Sequence, residues 1–359
     1  MKVGILGTRG IPNRYGGFEQ FAEYLAEGLL KLGVDVWVYN SHDHPFQEKQ
    51  WKGVNLIHCY DPEKKTGIAG QFIYDLNCII DSRKREFDIL LQLGYTSSSI
   101  WYKFLPADAR IITNMDGLEW NRSKYNRLVR HFLKYAEKLA VKSSNLLIAD
   151  SEAIADYLLK TYDKNSSYIP YGADVFETPD PGSILKFNVL PDKYFLVIAR
   201  MQPDNHIEEI INGVLKSETD YPLLVIGNTQ NKHGNYLKKK YESEQIRFLG
   251  SIFEKDSLNQ LRYFSRLYFH GHSAGGTNPS LLEAMAAQSL ICAHDNIFNR
   301  SVLEEDADFF TDEKDIANLI KQPVDETCSF LFKKNNLEKI KSKYVWTQII
   351  QAYYETFTV

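Results

Sequence analysis

Between Gly271 and Ala286 the sequence runs Gly-His-Ser-Ala-Gly-Gly-Thr-Asn-Pro-Ser-Leu-Leu-Glu-Ala-Met-Ala. It reads as a glycine-rich loop that passes straight into a helix. Asn278 suits the cap, Pro279 suits the first helical position, and Leu281, Leu282, Met285 and Ala286 supply an apolar face. Such a junction aims free backbone N–H groups and the positive end of the helix dipole at whatever lies before it, and an anion such as phosphate is the natural occupant. Glu283 follows just over one turn later, placed to meet a second part of a phosphate-bearing ligand. The plain alternative is a capped helix with a solvent-facing glutamate.

Four other groupings carry chemical potential. The run from Gly7 to Glu19 (Gly-Thr-Arg-Gly-Ile-Pro-Asn-Arg-Tyr-Gly-Gly-Phe-Glu) is a long glycine-bearing loop before a helix. Its glycine spacing fits neither the dinucleotide fingerprint nor a Walker loop. The pair Gly16 and Gly17 lets backbone approach a ligand, Arg9 and Arg14 can meet anions, and a flexible turn explains the same residues. Arg200 closes an apolar run, and at a strand's carboxyl end its fork of donors suits a diphosphate, or simply a surface ion pair. Asp116 and Glu119 follow another strand and can orient a hydroxyl or act as general base, although Asp116 before Gly117 is also an ordinary turn. From Arg122 to Lys142 there are seven basic residues and one acid, Glu137. Arg127, Arg130, Lys134, Lys138 and Lys142 line one helical side, with Leu128, Phe132, Leu133, Ala136, Leu139 and Ala140 on another, which fits either an anionic membrane surface or a solvated outer face. His42 with His44 and His270 with His272 lack further ligands at metal-site spacing, so no metal is expected.

The elements that must position these groups alternate between short apolar runs and helical patterns, which argues parallel sheets with helical crossovers. One strand series is expected at Val3–Leu6, Val34–Tyr39, Val54–Cys59, Ile89–Leu93, Ile111–Thr113 and Leu146–Ala149. A second is expected at Tyr194–Ala199, Leu223–Ile226, Ile246–Leu249, Leu267–Phe269 and Leu290–Ala293. Prolines and glycines between 170 and 192 mark the linker. A chain of 359 residues with 44% hydrophobic and 25% charged residues suits two such domains. The net charge of −4 gives no global attraction to nucleic acid, and no aromatics interleave with the basic stripe as a strand-binding platform would. Four scattered cysteines and an amino terminus that begins directly with a strand predict a cytoplasmic protein without a signal peptide or membrane span.

Taken together, the Gly16–Glu19 loop-helix, Arg200 and the Gly275–Glu283 junction resemble the retaining GT-B glycosyltransferases, the large family 4-like group typified by glycogen synthase and bacterial mannosyltransferases. The resemblance covers nearly the whole chain. The strings Gly7-Thr-Arg-Gly-Ile-Pro12 with Tyr15-Gly-Gly-Phe-Glu19, Asp116-Gly-Leu-Glu-Trp120 with Arg122 and Lys124, and Gly276-Thr-Asn-Pro-Ser-Leu-Leu-Glu-Ala-Met285 are similar to those of a bacterial rhamnosyltransferase subgroup of capsule, O-antigen and rhamnose-polysaccharide assembly.

The resemblance implies an α/β GT-B fold, two Rossmann-like doubly wound domains facing across a cleft. Residues 1–175 plus 343–359 would form the acceptor-side domain, with the segment from Ser342 to Phe357 as its returning helix, and 185–342 the nucleotide-sugar domain. It implies that Gly16, Gly17, Arg200 and the amides of Gly276, Thr277 and Asn278 border the donor diphosphate, and that Glu283 holds the ribose. Asn205 and Gly275 are donor-binding candidates as well, but Asn205 stands where the family usually has lysine, Gly275 where it has its first motif glutamate, and Asp116 where it has a histidine, which marks a modified site. The implied activity is metal-independent transfer of a sugar, with retention, from a dTDP- or UDP-linked donor, dTDP-rhamnose first, to a lipid-linked saccharide, with no cofactor. Asp116 and Glu119 are the catalytic candidates. Lys124, Arg127, Arg130, Lys134 and Lys138 would face the acceptor or the inner face of the plasma membrane. An epimerase of the same fold, or a non-catalytic nucleotide-sugar-binding subunit, are the rival readings.

Overall fold

The computed structural model describes residues 1–122, 125–323 and 325–358. They divide into two compact units. One holds Met1–Asn121, Tyr125–Tyr171 and the helix that begins at Trp346; the other holds Arg122 and Gly172–Val345. The break at Tyr171 falls before the expected 175, and the Pro- and Gly-rich stretch that follows belongs to the second unit, where Pro181–Phe187 forms a short 3-10 turn.

The first unit is built on eight strands: β1 (Lys2–Leu6), β2 (Asp35–Ser41), β3 (Gln50–Trp51), β4 (Val54–Cys59), β5 (Ile89–Leu93), β6 (Arg110–Asn114), β7 (Leu146–Ala149) and β8 (Ser166–Tyr168). Their order is β3-β4-β2-β1-β5-β6-β7-β8. All pairings are parallel except that of β3 with β4, where Gln50 faces Asn55 across an antiparallel edge. Central strands are buried on both faces, so β5 is buried at every position, as continuous apolar runs in a doubly wound sheet require. The chain order reverses between β1 and β5, and at such switch points the loops beyond the strand ends diverge and leave room for ligand.

The closing segment does not form one helix from Ser342. The helix Glu326–Lys343 ends there, Val345 pairs with Ala173, and a new helix runs Trp346–Thr358. This last helix packs on the first helix, Gly17–Lys31. Tyr24 stacks on Trp346 with ring centroids 4.3 Å apart, and Phe21 meets Tyr353 at 5.2 Å. Gly28 permits the approach, because a Cβ there would lie 2.3 Å from Ile350 Cδ1.

The second unit carries β9 (Phe195–Ile198), β10 (Leu223–Ile226), β11 (Ile246–Gly250), β12 (Leu267–His270), β13 (Ile291–His294) and β14 (Asp308–Phe310). The order is β11-β10-β9-β12-β13-β14, all parallel, with its switch between β9 and β12. Val197, Ile210, Val225, Phe269 and Ile316 belong to its core. The two strand ends at this switch lead into Arg200 and into the loop beginning at Gly271.

Candidate functional site

In the second unit the helix is Pro279–Ala286, with Asn278 as N-cap accepting from the Ser280 N–H at 2.9 Å. Ser280 Oγ contacts the Ile198 carbonyl at 3.5 Å and the Tyr268 hydroxyl at 2.8 Å, which sets the helix start beside the ends of β9 and β12. Arg200, two residues beyond β9, is exposed, and its guanidinium has no ion-pair partner among the described residues. An unpaired guanidinium and a capped helix N-terminus at one switch point make an anion-binding arrangement.

Glu283 is half-buried one turn into that helix. Its Oε2 accepts from Arg262 Nη2 at 2.5 Å, and Arg262 is itself only 1% exposed. The buried guanidinium also reaches Ser280 Oγ at 3.3 Å. Sequence reading passes over Arg262 because an arginine on the amphipathic helix Lys255–Phe264 looks like a surface residue; its partner is carried by a different helix.

Asn205 is 4% exposed and does not present its side chain outward. Its Nδ2 donates to the Arg200 carbonyl at 2.7 Å, and its Oδ1 lies 2.7 Å from His272 Nδ1. With Nδ2 committed to a carbonyl, Oδ1 is the acceptor and His272 Nδ1 carries the proton. Burial, then the neighbouring His270, Arg122 and Arg200 charges, push the His272 pKa well below its ordinary value, so the ring is neutral. Gly275 has φ +122°, and a Cβ on it would come 3.2 Å from His272 Nε2. The position where the resembled family carries glutamate is thus shaped for glycine. Arg122 groups with this unit: its Nη1 donates to buried Asp204 at 3.1 Å. Gly276 and Thr277 lie between Gly275 and the cap, Thr277 being buried.

In the first unit, Gly16 is the extended N-cap of Gly17–Lys31, and no side chain caps that helix. A Cβ on Gly16 would meet only Glu19 Oε2, at 3.5 Å, so this N-terminus is open. The loop before it is held rather than loose. Glu19 accepts from the Arg9 N–H at 2.9 Å, and Arg9 is committed to Glu63 through Nε at 2.8 Å, so Arg14 is the arginine left exposed.

Asp116 follows β6 with φ +48°, a left-handed conformation that aspartate and asparagine tolerate. Its N–H donates to Asn114 Oδ1 at 2.9 Å, while Asn114 Nδ2 donates to the Tyr353 hydroxyl of the last helix at 2.9 Å. Burial first, then the Asp116 charge, pushes the Tyr171 hydroxyl well above its ordinary value. Glu119 begins a 3-10 turn, Glu119–Asn121, and is half-buried.

The basic helix is Arg127–Ser143, capped by Asn126. Arg127, Lys134 and Lys138 are exposed and Arg130 half-buried; Lys124 lies outside the described residues. Leu133, Ala136, Leu139 and Ala140 pack inward as expected, but Leu128 is 81% exposed, and Phe132 and Tyr135 are also exposed. Leu128 lies in the first turn of the helix, ahead of the packed stretch from Leu133 to Ala140, whose inward face includes Glu137. Among the described residues no helix is long and apolar enough to cross a membrane.

Residues 1–174 match the model of a domain family of unknown function, DUF1972. No curated protein matches the sequence. Solved structures match its fold over nearly the full length. The sucrose-phosphate synthase of Thermosynechococcus elongatus superposes with a TM-score of 0.80 at 15% identity, covering 99% of each chain. HepE of Anabaena, solved with UDP and glucose, gives 0.78 at 14% identity, covering 99% of each chain. A glycosyltransferase of Rickettsia africae gives 0.75 at 14%, covering 99% of this chain and 97% of the other. The fold is the α/β GT-B fold, with a parallel-sheet domain in each unit.

Proposed function

We propose that the protein is a glycosyltransferase that moves a sugar from a nucleoside diphosphate donor to a hydroxyl of a saccharide acceptor. The observation that carries this reading is that exposed Arg200 and the Asn278-capped helix N-terminus both follow the strands at the switch point of the second sheet. In this reading the N–H groups of Gly276 to Asn278 and the Arg200 guanidinium hold the diphosphate and stabilise the negative charge that grows on it as it leaves. Glu283, fixed by Arg262, accepts from the ribose hydroxyls. That HepE was solved with UDP and glucose supports the donor class by likeness of fold.

The bond from the anomeric carbon to the phosphate oxygen breaks, and a bond from that carbon to the acceptor oxygen forms on the same face. The acceptor proton passes to the departing phosphate, with Asp116 orienting the acceptor hydroxyl and Glu119 beside it. Rhamnose from dTDP-rhamnose is the donor the sequence resemblance favours, and Arg200 with the backbone dipoles supplies charge compensation without a metal. The acceptor is a lipid-linked saccharide at the cytoplasmic membrane face. Arg127, Lys134 and Lys138 beside exposed Leu128, Phe132 and Tyr135 support that placement, since basic and apolar side chains together bind anionic lipid surfaces.

The test is to incubate the protein with radiolabelled dTDP-rhamnose or UDP-glucose and lipid extract. Label moving into the organic phase with nucleoside diphosphate released is the expected result. Release of free epimerised sugar without acceptor, or no turnover of any donor, would overturn it.

A further inference from the structure

Glu137, the single acid on the basic helix, is 1% exposed. Its partners are four neutral donors. Oε1 accepts from the Tyr157 and Tyr162 hydroxyls at 2.7 and 2.6 Å, and Oε2 accepts from Trp120 Nε1 at 3.0 Å and the Tyr95 hydroxyl at 3.3 Å. A carboxylate taken out of water is costly unless its acceptor positions are filled, and four donors fill them. The aromatic hydroxyls respond to it: burial first, then donation to the Glu137 carboxylate, pushes Tyr157 up to about 12.

The four donors come from three places. Tyr157 and Tyr162 lie on the helix Glu152–Tyr162, Tyr95 follows β5, and Trp120 sits in the turn Glu119–Asn121. Bonds to the two tyrosines of the helix would be enough to knit that helix to Arg127–Ser143. The bonds on Oε2 do something else. Asp116 is anchored at the near end of its turn through Asn114, and the turn is braced inside by Glu119 N–H to Gly117 O at 2.9 Å. At the far end the anchor is the Trp120 indole, with Lys134 Nζ 4.6 Å above its ring. The indole N–H is a donor only, and the acceptor it meets is Glu137 Oε2.

We propose that Glu137 is a positioning residue that fixes the Asp116–Trp120 turn for sugar transfer through the indole N–H of Trp120. The inference rests on the assignment of Asp116 to the acceptor. A purely structural Glu137 would hold helix to helix and leave transfer untouched once the protein is folded; a positioning Glu137 sets transfer apart from donor binding.

Four variants separate these. Glu137→Met removes every acceptor, and Trp120→Phe removes the one donor while keeping a ring. Glu137→Gln retains an oxygen that the amide can turn toward the indole, with its NH₂ donating to the tyrosine hydroxyls. In transfer from dTDP-rhamnose or UDP-glucose to a synthetic alkyl glycoside, Glu137→Met and Trp120→Phe should each lose about 100-fold in turnover, the scale of an ångström misplacement. UDP or dTDP affinity should stay at the wild-type value. The double variant should be no worse than Glu137→Met alone, since both remove one link. Glu137→Gln should restore most of the turnover, and the ¹⁵N-indole resonance assigned through Trp120→Phe should move in Glu137→Met and hold in Glu137→Gln. Normal transfer by Trp120→Phe, or additive losses in the double variant, would overturn the proposal while wild-type transfer stands. A wild-type protein that binds neither UDP nor dTDP and turns over no donor would instead overturn the transferase reading, and this proposal with it.

Discussion

Arg262 donates to Glu283 at 2.5 Å from a position almost wholly shielded from solvent, while Glu283 keeps partial exposure on the helix that follows the glycine loop. The pair fixes one carboxylate oxygen of a residue that sits one turn beyond the glycine loop. Such a glutamate is held ready to accept from paired hydroxyls without first being ordered, and binding then loses little side-chain entropy.

Removing the buried partner should be the more damaging change. Arg262→Met leaves Glu283 short of its ion pair and should lower unfolding free energy by about 3 kcal/mol, the usual cost of breaking a buried pair from one side. Glu283→Gln keeps a hydrogen bond to Arg262 but not its counter-charge, so it should lose less stability than Arg262→Met, and it should bind UDP or dTDP about tenfold more weakly. Urea denaturation and calorimetry read the two effects separately; equal stability of Arg262→Met and the wild type would refute the first.

Asp116→Asn preserves both the left-handed backbone and the side-chain shape. Turnover should fall by about 100-fold with nucleoside diphosphate affinity unchanged, because a positioned carboxylate and an amide differ in the proton and charge they offer. Steady-state rates at saturating donor check this, and near-normal turnover would remove Asp116 from the account.

Acid should destabilise the second unit through its histidines. Burial pushes His270 down to about 3 and His294 down to about 4, with the Arg262 and His206 charges adding to the effect. Both are bases depressed on folding, so their contribution is complete above the unfolded value of 6.5 and is lost as pH falls from there toward 3 to 4. Asp75 runs the other way. Burial raises it to about 7, so its protonated form favours the fold at low pH and that contribution is lost as pH rises toward 7. His270→Gln isolates one group: its stability loss between pH 7 and pH 5 should be about 2 kcal/mol smaller than the wild type's. Parallel urea curves at the two pH values would show whether it is, and an identical loss would refute it.

The basic helix should bind anionic vesicles. Arg127→Glu with Lys138→Glu reverses two exposed charges, and Leu128→Ser removes the most exposed apolar residue of the helix. Either change should reduce co-sedimentation with phosphatidylglycerol vesicles, and salt should weaken the wild-type interaction as the charges are screened. Equal sedimentation with neutral vesicles would exclude an electrostatic surface.

The long strands were legible in the sequence because parallel strands buried on both faces read as unbroken apolar runs, as at Ile89–Leu93 and Leu223–Ile226. The short ones were not: Gln50–Trp51, Ser166–Tyr168 and Asp308–Phe310 are edges of two or three residues with too little apolar pattern. The Asn278 cap and Pro279 start were legible because capping depends on local residue type. Arg262 and Glu137 were not, since each is a charge whose burial is decided by partners far along the chain. Glu137 in particular reads as the one acid in a basic surface stripe.

The central claim is that the second unit binds a nucleoside diphosphate through Arg200 and the helix start. Isothermal calorimetry of UDP and dTDP against the wild type and Arg200→Ala tests it most directly. Arg200 is exposed and has no ion-pair partner among the described residues, so the variant should melt with the wild type while binding weakens by about 2 to 3 kcal/mol, the worth of a charge-assisted contact. Absence of heat with either nucleotide in the wild type, or the same affinity in Arg200→Ala, would contradict the account.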